Sequence, residues 1–238
     1  MMKSNARVIM ITGAAGSLGT ATARAFLAQG ARLVLIDRAQ DRLKKLYPEL
    51  AGSSDHFLAS SIDILNIEAV DRAIAQTLER LEKIDVLVNA AGGFRAAPAL
   101  DQTPLDDWDA LFDLNARSVF LTCRAVIPSM RRQQFGRIVN ISSRGGLKGD
   151  AGTALYSASK AAIIRLTESM AAELKDAGIN VNCVLPSIID TEQNRQAMPA
   201  ADFTRWVTPE SVASVIVFLA SDAAADVNGA AIPVYGRS

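Results

Sequence analysis

Val8–Gly19 reads VIMITGAAGSLG, an apolar run closed by Thr12 and followed by a turn of glycine, alanine and serine. An apolar run without polar alternation is the pattern of a strand covered on both faces. The stretch from about Leu18 to Gln29, ended by Gly30, reads as a helix. In that arrangement Gly13, Ala15, Gly16, Ser17, Leu18 and Gly19 bring bare backbone to a helix N-terminus. Unpaired N–H groups and positive potential there suit a pyrophosphate. A tight strand-to-helix turn with no ligand fits the same residues, and the turn alone leaves both readings open.

Asp37 follows the second strand-like run, Arg32–Ile36. A carboxylate at that point accepts hydrogen bonds from the adenosine ribose hydroxyls and repels a 2′-phosphate. Arg38, next to it, would pair with a 2′-phosphate instead. The glycine-rich turn contains no basic residue. The balance favours NAD and leaves NADP open.

Working outward, strand-like and helix-like segments alternate along all 238 residues, with no linker or repeat. Further strands are expected at His56–Ser60, Asp85–Asn89, Arg137–Ser142, Asn180–Leu185 and Ala231–Val234. Helices are expected at Ile67–Leu81, with Ile67, Val70, Ile74 and Leu78 on one stripe, at about Leu105 to Arg131, at Tyr156 to about Lys175, and at Pro209–Ala220. The alternation predicts an α/β fold: one domain over residues 1–238, a doubly wound Rossmann fold with a single parallel seven-stranded sheet and helices on both faces. Ligands of such sheets bind at the carboxyl ends of the strands.

Composition narrows the partners. Twenty-five basic residues balance 25 acidic ones, and no basic block appears, so neither nucleic acid nor an anionic membrane is an expected partner. No apolar run is long enough to span a bilayer. Met1–Arg7 is short and polar, without the apolar core of a secretory signal. Cys123 and Cys183 lie in apolar stretches, which fits a reducing cytoplasm better than a disulfide framework. With His56 as the single histidine, no metal site is expected.

Taken in order, these segments resemble the short-chain dehydrogenase/reductase family over nearly the whole chain. The glycine motif is TGAAGSLG, with Ser17 where the family has its middle glycine. Asp63 and Ile64 match its adenine-flanking pair, and Asn89-Ala90-Ala91-Gly92 its NAAG motif. Asn115 matches its helix-borne asparagine, Ser143 its catalytic serine, and Tyr156 with Lys160 its Tyr-x-x-x-Lys pair. Pro186-Ser187-Ile188-Ile189-Asp190-Thr191 stands where the family has PGxIxT, with Ser187 replacing the usual glycine. The resemblance implies that Pro186, Ile189 and Thr191 face the nicotinamide.

It further implies hydride transfer between a nicotinamide and a carbonyl/alcohol pair, as in a ketoreductase or 3-oxoacyl reductase. Tyr156 would move the proton, and Ser143 would hold the substrate oxygen. Spacing of four puts Tyr156 and Lys160 on one helix face, where the ammonium is expected to lower the phenol pKa. Asn115 would hold a water that relays protons beyond Lys160. Each residue alone has a plainer reading as a turn or surface group; their conjunction in order decides. The other class of reading is a non-catalytic dinucleotide-binding sensor or scaffold, against which the intact Ser143, Tyr156 and Lys160 stand. A nucleotide-sugar epimerase ranks lower, because little sequence follows the sixth strand.

Glu192–Val207 should form the substrate lid; Phe94, Leu147, Met198 and Trp206 are candidates for apolar lining, each more often plain packing. Arg95, Arg144, Lys148, Arg195 and Arg205 could make the mouth positive for an anionic substrate, or be solvated surface charges. A homo-oligomer, tetramer or dimer, is expected through the two long helices.

Overall fold

The computed structural model describes residues 6–238; of the polar segment Met1–Arg7, residues 1–5 lie outside the described part. Seven parallel strands form one sheet in the order β3-β2-β1-β4-β5-β6-β7. They are β1 Val8–Thr12, β2 Arg32–Asp37, β3 Phe57–Ser60, β4 Val86–Asn89, β5 Gly136–Ile141, β6 Ile179–Pro186 and β7 Ala231–Val234. The helices are α1 Ser17–Leu27, α2 Arg42–Leu46, α3 Ile67–Leu81, α4 Leu105–Phe112, α5 Ser118–Gln133, α6 Ala154–Leu174, α7 Glu192–Ala197 and α8 Pro209–Ala220.

Alternate residues of the central strands feed two separate cores, which is why those strands read as continuous apolar runs. Ile9, Ile11, Leu33 and Val86 pack with Phe26 of α1 and Ile216 of α8. Val8, Met10, Val34 and Leu87 pack with Val70 of α3, Val119 of α5 and Ile163 of α6. The expected stripe of α3 is buried at Val70 and Ile74 and packs at Leu78. Ile67, the first residue of that helix, is exposed instead.

The long helix expected from Leu105 is divided. A π-helical turn, Asp113–Arg117, separates α4 from α5, with Ser118 N–H donating five residues back to the Asp113 carbonyl. Short α2 and α7, within stretches without strong periodicity, were not expected.

The order of the strands reverses direction between β1 and β4, and the loops that leave them touch there. Gly13 has φ +64°, and a Cβ on it would lie 2.7 Å from Ala91 Cα. A Cβ on Gly19 would lie 2.2 Å from the Gly13 carbonyl oxygen. Ala91 N–H donates to Thr12 Oγ1 at 3.3 Å, and the buried Tyr47 hydroxyl donates to Ala14 O at 2.8 Å. The crevice at the carboxyl ends of β1 and β4 thus has a backbone floor clamped from both sides. Gly19→Ala must force helix and turn apart. Urea unfolding should show a loss of about 1–3 kcal/mol, and NADH titration followed by fluorescence should show weakened binding.

Candidate active site

Ser143 ends the segment after β5, and the turn Arg144–Gly146 folds back against α6. Its Oγ accepts from Gly145 N–H at 3.1 Å, and a Cβ on Gly145 would lie 3.3 Å from Tyr156 Cε1 and 3.6 Å from Ser143 Oγ. Bare backbone at Gly145 therefore lets Ser143 and Tyr156 meet. Tyr156 lies in the first turn of α6, and the Phe94 ring stands edge-on to it at 4.9 Å between centroids. Phe94 is itself 63% exposed, so it forms an outer wall of the crevice.

Lys160 is 5% exposed and has no carboxylate partner among the described residues. Its ammonium donates to the Ile141 carbonyl at 3.0 Å and lies 5.9 Å from the Tyr156 ring centroid. Burial lowers its pKa to about 8. Burial raises the Tyr156 phenol, with the Ser143 hydroxyl pulling it the other way. This corrects the expected acidification of Tyr156 by Lys160. The cation is held by a backbone oxygen beyond the ring, and desolvation dominates both groups.

Asn115 sits in the π-helical turn, fully buried. Its Oδ1 accepts from Gly93 N–H at 2.9 Å, and its Nδ2 donates to Gly93 O at 3.1 Å and to Ser159 Oγ at 3.0 Å. A Cβ on Gly92 would lie 3.1 Å from Asn115 Oδ1 and 3.2 Å from Lys160 Nζ. Tyr156, Ser159 and Lys160 are spaced three and four apart on one helix face. Sequence reasoning passed over Ser159, for which helical spacing from Tyr156 is a signal; Phe94, read as a candidate lining residue, does stand beside Tyr156.

The expected cofactor residues divide into several groups. Gly16 caps α1 without a side-chain hydrogen bond, so the first turn of that helix offers unclaimed N–H groups beside Ser17, Leu18 and Gly19. Together with the glycine cradle, this donor set fits a dinucleotide pyrophosphate. Asp37 lies beside it, accepting from Ala15 N–H at 3.0 Å and Ala39 N–H at 2.9 Å, whereas Arg38 is exposed. Asp63 Oδ1 accepts from Leu65 N–H at 3.0 Å, and Ile64 packs under the sheet. Ala90 and Ala91 are partly buried and Gly92 is exposed at the end of β4.

Other side chains are already committed. Asn89 is buried in a side-chain network: its Nδ2 donates to Asn140 Oδ1 at 2.9 Å and its Oδ1 accepts from Thr122 Oγ1 at 2.8 Å. Pro186 ends β6, Ile189 pairs with Val207, and Thr191 Oγ1 caps α7 by accepting from Asn194 N–H at 3.2 Å. Ser187 needs no glycine-like angle, since it is absent from the positive-φ residues, and its hydroxyl donates to Tyr235 O at 2.7 Å. Trp206, a candidate for pocket lining or plain packing, is 8% exposed and packs on Phe203.

The short chain dehydrogenase family model matches residues 7–202. The chain is 38% identical to a 3-oxoacyl-[acyl-carrier-protein] reductase of Synechocystis sp., with 99% of this chain and 98% of the relative covered. It is 36% identical to the meso-2,3-butanediol dehydrogenase of Serratia marcescens, with 99% and 95% covered. Among solved structures it superposes on ElxO with NADP bound at a TM-score of 0.89, with 27% identity over 97% of this chain and 98% of that one. It also superposes on NAD+-bound xylitol dehydrogenase at 0.87, with 28% identity over 97% and 98%.

The buried ammonium has a measurable consequence. Its pKa is lower folded than unfolded, so the unfolded chain holds an extra proton between about pH 8 and 10.5. Burying the charge therefore destabilises the protein fully below pH 8, and the penalty fades as pH rises to 10.5. Lys160→Met should be more stable than wild type at pH 7 by on the order of 2 kcal/mol. The gap in urea unfolding free energy should close across that pH window.

Proposed function

The chain belongs to the short-chain dehydrogenase/reductase family and is an NAD(P)-dependent oxidoreductase, and on that premise we propose that Ser143, Tyr156, Lys160 and Asn115 interconvert a carbonyl and an alcohol with NAD(H) as the preferred cofactor. The observation that carries this reading is the meeting of Ser143 and Tyr156 above a buried ammonium, at the carboxyl end of β5 beside the glycine cradle. When bound, the nicotinamide supplies or accepts the hydride.

The chain's own residues handle the oxygen and its proton. The Ser143 hydroxyl donates to the substrate oxygen, fixing it beside Tyr156 and stabilising the negative charge that develops on it. The Tyr156 hydroxyl gives the proton to that oxygen during reduction and takes it back during oxidation. A phenol held protonated by burial is suited to the donor's part at neutral pH. Lys160 would hold the ribose hydroxyls on the nicotinamide side and relay the proton that restores Tyr156 after reduction, or remove it after oxidation, by way of Asn115, whose side chain is fixed by Gly93 and Ser159.

On the cofactor side, the backbone from Gly13 to Gly19 would hold the pyrophosphate, Asp63 and Ile64 would flank the adenine, and Ala90 to Gly92 would line the ribose side. Pro186, Ile189 and Thr191 would face the nicotinamide carboxamide, Ile189 and Thr191 through the short segment that precedes α7. Asp37 supports NAD(H): two backbone N–H groups hold it at the edge of the cradle, and its free lone pairs suit ribose hydroxyls. The exposed faces of Leu105, Trp108 and Phe120 on the α4–α5 arm support a homo-oligomer packed through those helices. Among the described residues no helix is long and apolar enough to cross a membrane. Two buried free cysteines suit a reducing compartment such as the cytoplasm.

Turnover on a carbonyl and alcohol panel, followed at the NADH absorbance band, tests the catalytic reading. Tyr156→Phe should lower kcat by about a hundredfold or more while NADH still binds. Since burial raises the phenol pKa, reduction should hold through neutral pH and fall only in alkaline buffer, whereas oxidation should rise with pH. Asp37→Ser should raise the NADP:NAD ratio of kcat/KM by about tenfold; an unchanged ratio would contradict the ribose role.

A further inference from the structure

We propose that Arg144, oriented by Tyr235, is the specificity-determining residue of the substrate site and selects carbonyl substrates that carry a carboxylate a few carbons from the reacting centre. The inference rests on the catalytic reading of Ser143 and Tyr156 given above, and it adds a substrate class to it.

The turn that carries Ser143 can project only one long side chain. Gly145 lies against the Tyr156 ring, and a Cβ on Gly146 would lie 3.0 Å from the backbone of Lys160. Neither position carries a side chain, and at Gly146 the helix leaves no room for one. Arg144, between Ser143 and these glycines, is exposed and leaves the turn on the open side. Its guanidinium carbon lies 5.9 Å from the centroid of the Tyr235 ring, within reach of a cation–π contact.

Tyr235 is itself fixed. Its carbonyl accepts the Ser187 hydroxyl at 2.7 Å, and Ser187 N–H donates to Val234 O at 3.2 Å. Gly236 folds against the Arg205 carbonyl, to which Arg237 N–H donates at 2.9 Å. The segments after β6 and β7 are therefore tied together, and the tyrosine ring is the platform they present to Arg144. An arginine stacked on a ring keeps its edge N–H donors free, in a fork that matches a carboxylate.

Charge balance separates Arg144 from its neighbours. Arg95 is paired with Asp107. Arg195 makes two hydrogen bonds to Asp190, at 2.6 and 2.8 Å, and lies over the Phe203 ring. Among the described residues no aromatic ring lies beneath Lys148 or Arg205. Among the described residues no carboxylate forms an ion pair with Arg144. The mouth of the site thus holds one ordered, uncompensated guanidinium, adjacent in sequence to the serine that would grip the carbonyl.

Matched pairs of an oxo acid and its methyl ester test this: acetoacetate with methyl acetoacetate, and levulinate with methyl levulinate, each reduced at neutral pH. The readout is the carboxylate-to-ester ratio of kcat/KM. Arg144→Ala should lower that ratio by about tenfold or more, mainly through KM for the acids. Tyr235→Ala should lower it in the same sense, and Tyr235→Phe, which keeps the ring, should hold the wild-type ratio. A ratio in Arg144→Ala within about threefold of wild type would overturn the assignment. Tyr156→Phe is the separate check on the catalytic reading: wild-type rates in that variant would sink the reading while leaving the Arg144 ratio to stand or fall by itself. Absence of any wild-type turnover of all four compounds with either cofactor would overturn both.

Discussion

The ammonium of Lys160 is buried between β5 and α6 with a carbonyl oxygen for a partner and no carboxylate. Such a burial is unfavourable, and the depressed pKa of the group is its direct expression. The surrounding structure must hold the group in place against that cost. Two hydrogen bonds do so: the Ile141 carbonyl at the end of β5 accepts one from the ammonium, and the Ser142 hydroxyl, donating to Lys160 O at 2.8 Å, ties the strand end to the helix. Gly146 closes on the same helix turn. The positions of Ser143 and Tyr156 follow from this anchorage, because one sits two residues after Ile141 and the other one helical turn before Lys160.

The same constraint explains why small residues gather at the carboxyl ends of the strands. Gly13 meets Ala91, Gly92 faces Asn115 and Lys160, and Gly145 meets Tyr156. In each case a loop backbone approaches another chain segment closely, at Gly13 closer than a side chain would permit and at Gly92 and Gly145 tighter than most side chains sit. The crevice is thus assembled by contacts between loops from β1, β4 and β5, with the sheet as their common base. Residues that look interchangeable as loop glycines have separate partners, and each partner belongs to the candidate site.

How much of this was legible in the sequence depends on which force set each element. Ile67–Leu81 was read with its observed bounds because an amphipathic stripe is a local signal; the structure adds an Asn66 cap, whose Oδ1 accepts from Ala69 N–H at 2.8 Å. The central strands were equally plain, since burial on two faces leaves an unbroken apolar run. The π-helical turn was not legible. Nothing in Asp113-Leu114-Asn115-Ala116-Arg117 marks it, and it exists because Asn115 bonds Gly93 and Ser159, 22 and 44 residues away in sequence. Trp206 was open between lining and plain packing for a related reason: an aromatic in a lid-like segment fits both, and the contact that decides it is its ring on Phe203. Asn89 was read as a cofactor residue from its motif; its side-chain partners Thr122 and Asn140 come from distant segments and could not be read from the sequence. Among the residues read as the site, Ser143, Tyr156, Lys160 and Asn115 come together as one cluster.

The substitution of Ser187 for the usual glycine illustrates how a departure from a motif can be absorbed. A glycine there would matter if the chain needed a left-handed angle, but Ser187 adopts none. Its hydroxyl instead bridges the Tyr235 carbonyl at 2.7 Å and the Ser238 hydroxyl at 2.7 Å. That bridge joins the segment leaving β6 to the one leaving β7, and the latter carries the tyrosine beneath Arg144. The divergent Val234-Tyr235-Gly236 sequence and the serine are therefore coupled parts of one arrangement. Read separately, each is a local deviation of no consequence; read through their shared hydrogen bonds, they build a wall of the site that the usual glycine, lacking a hydroxyl, could not brace in the same way.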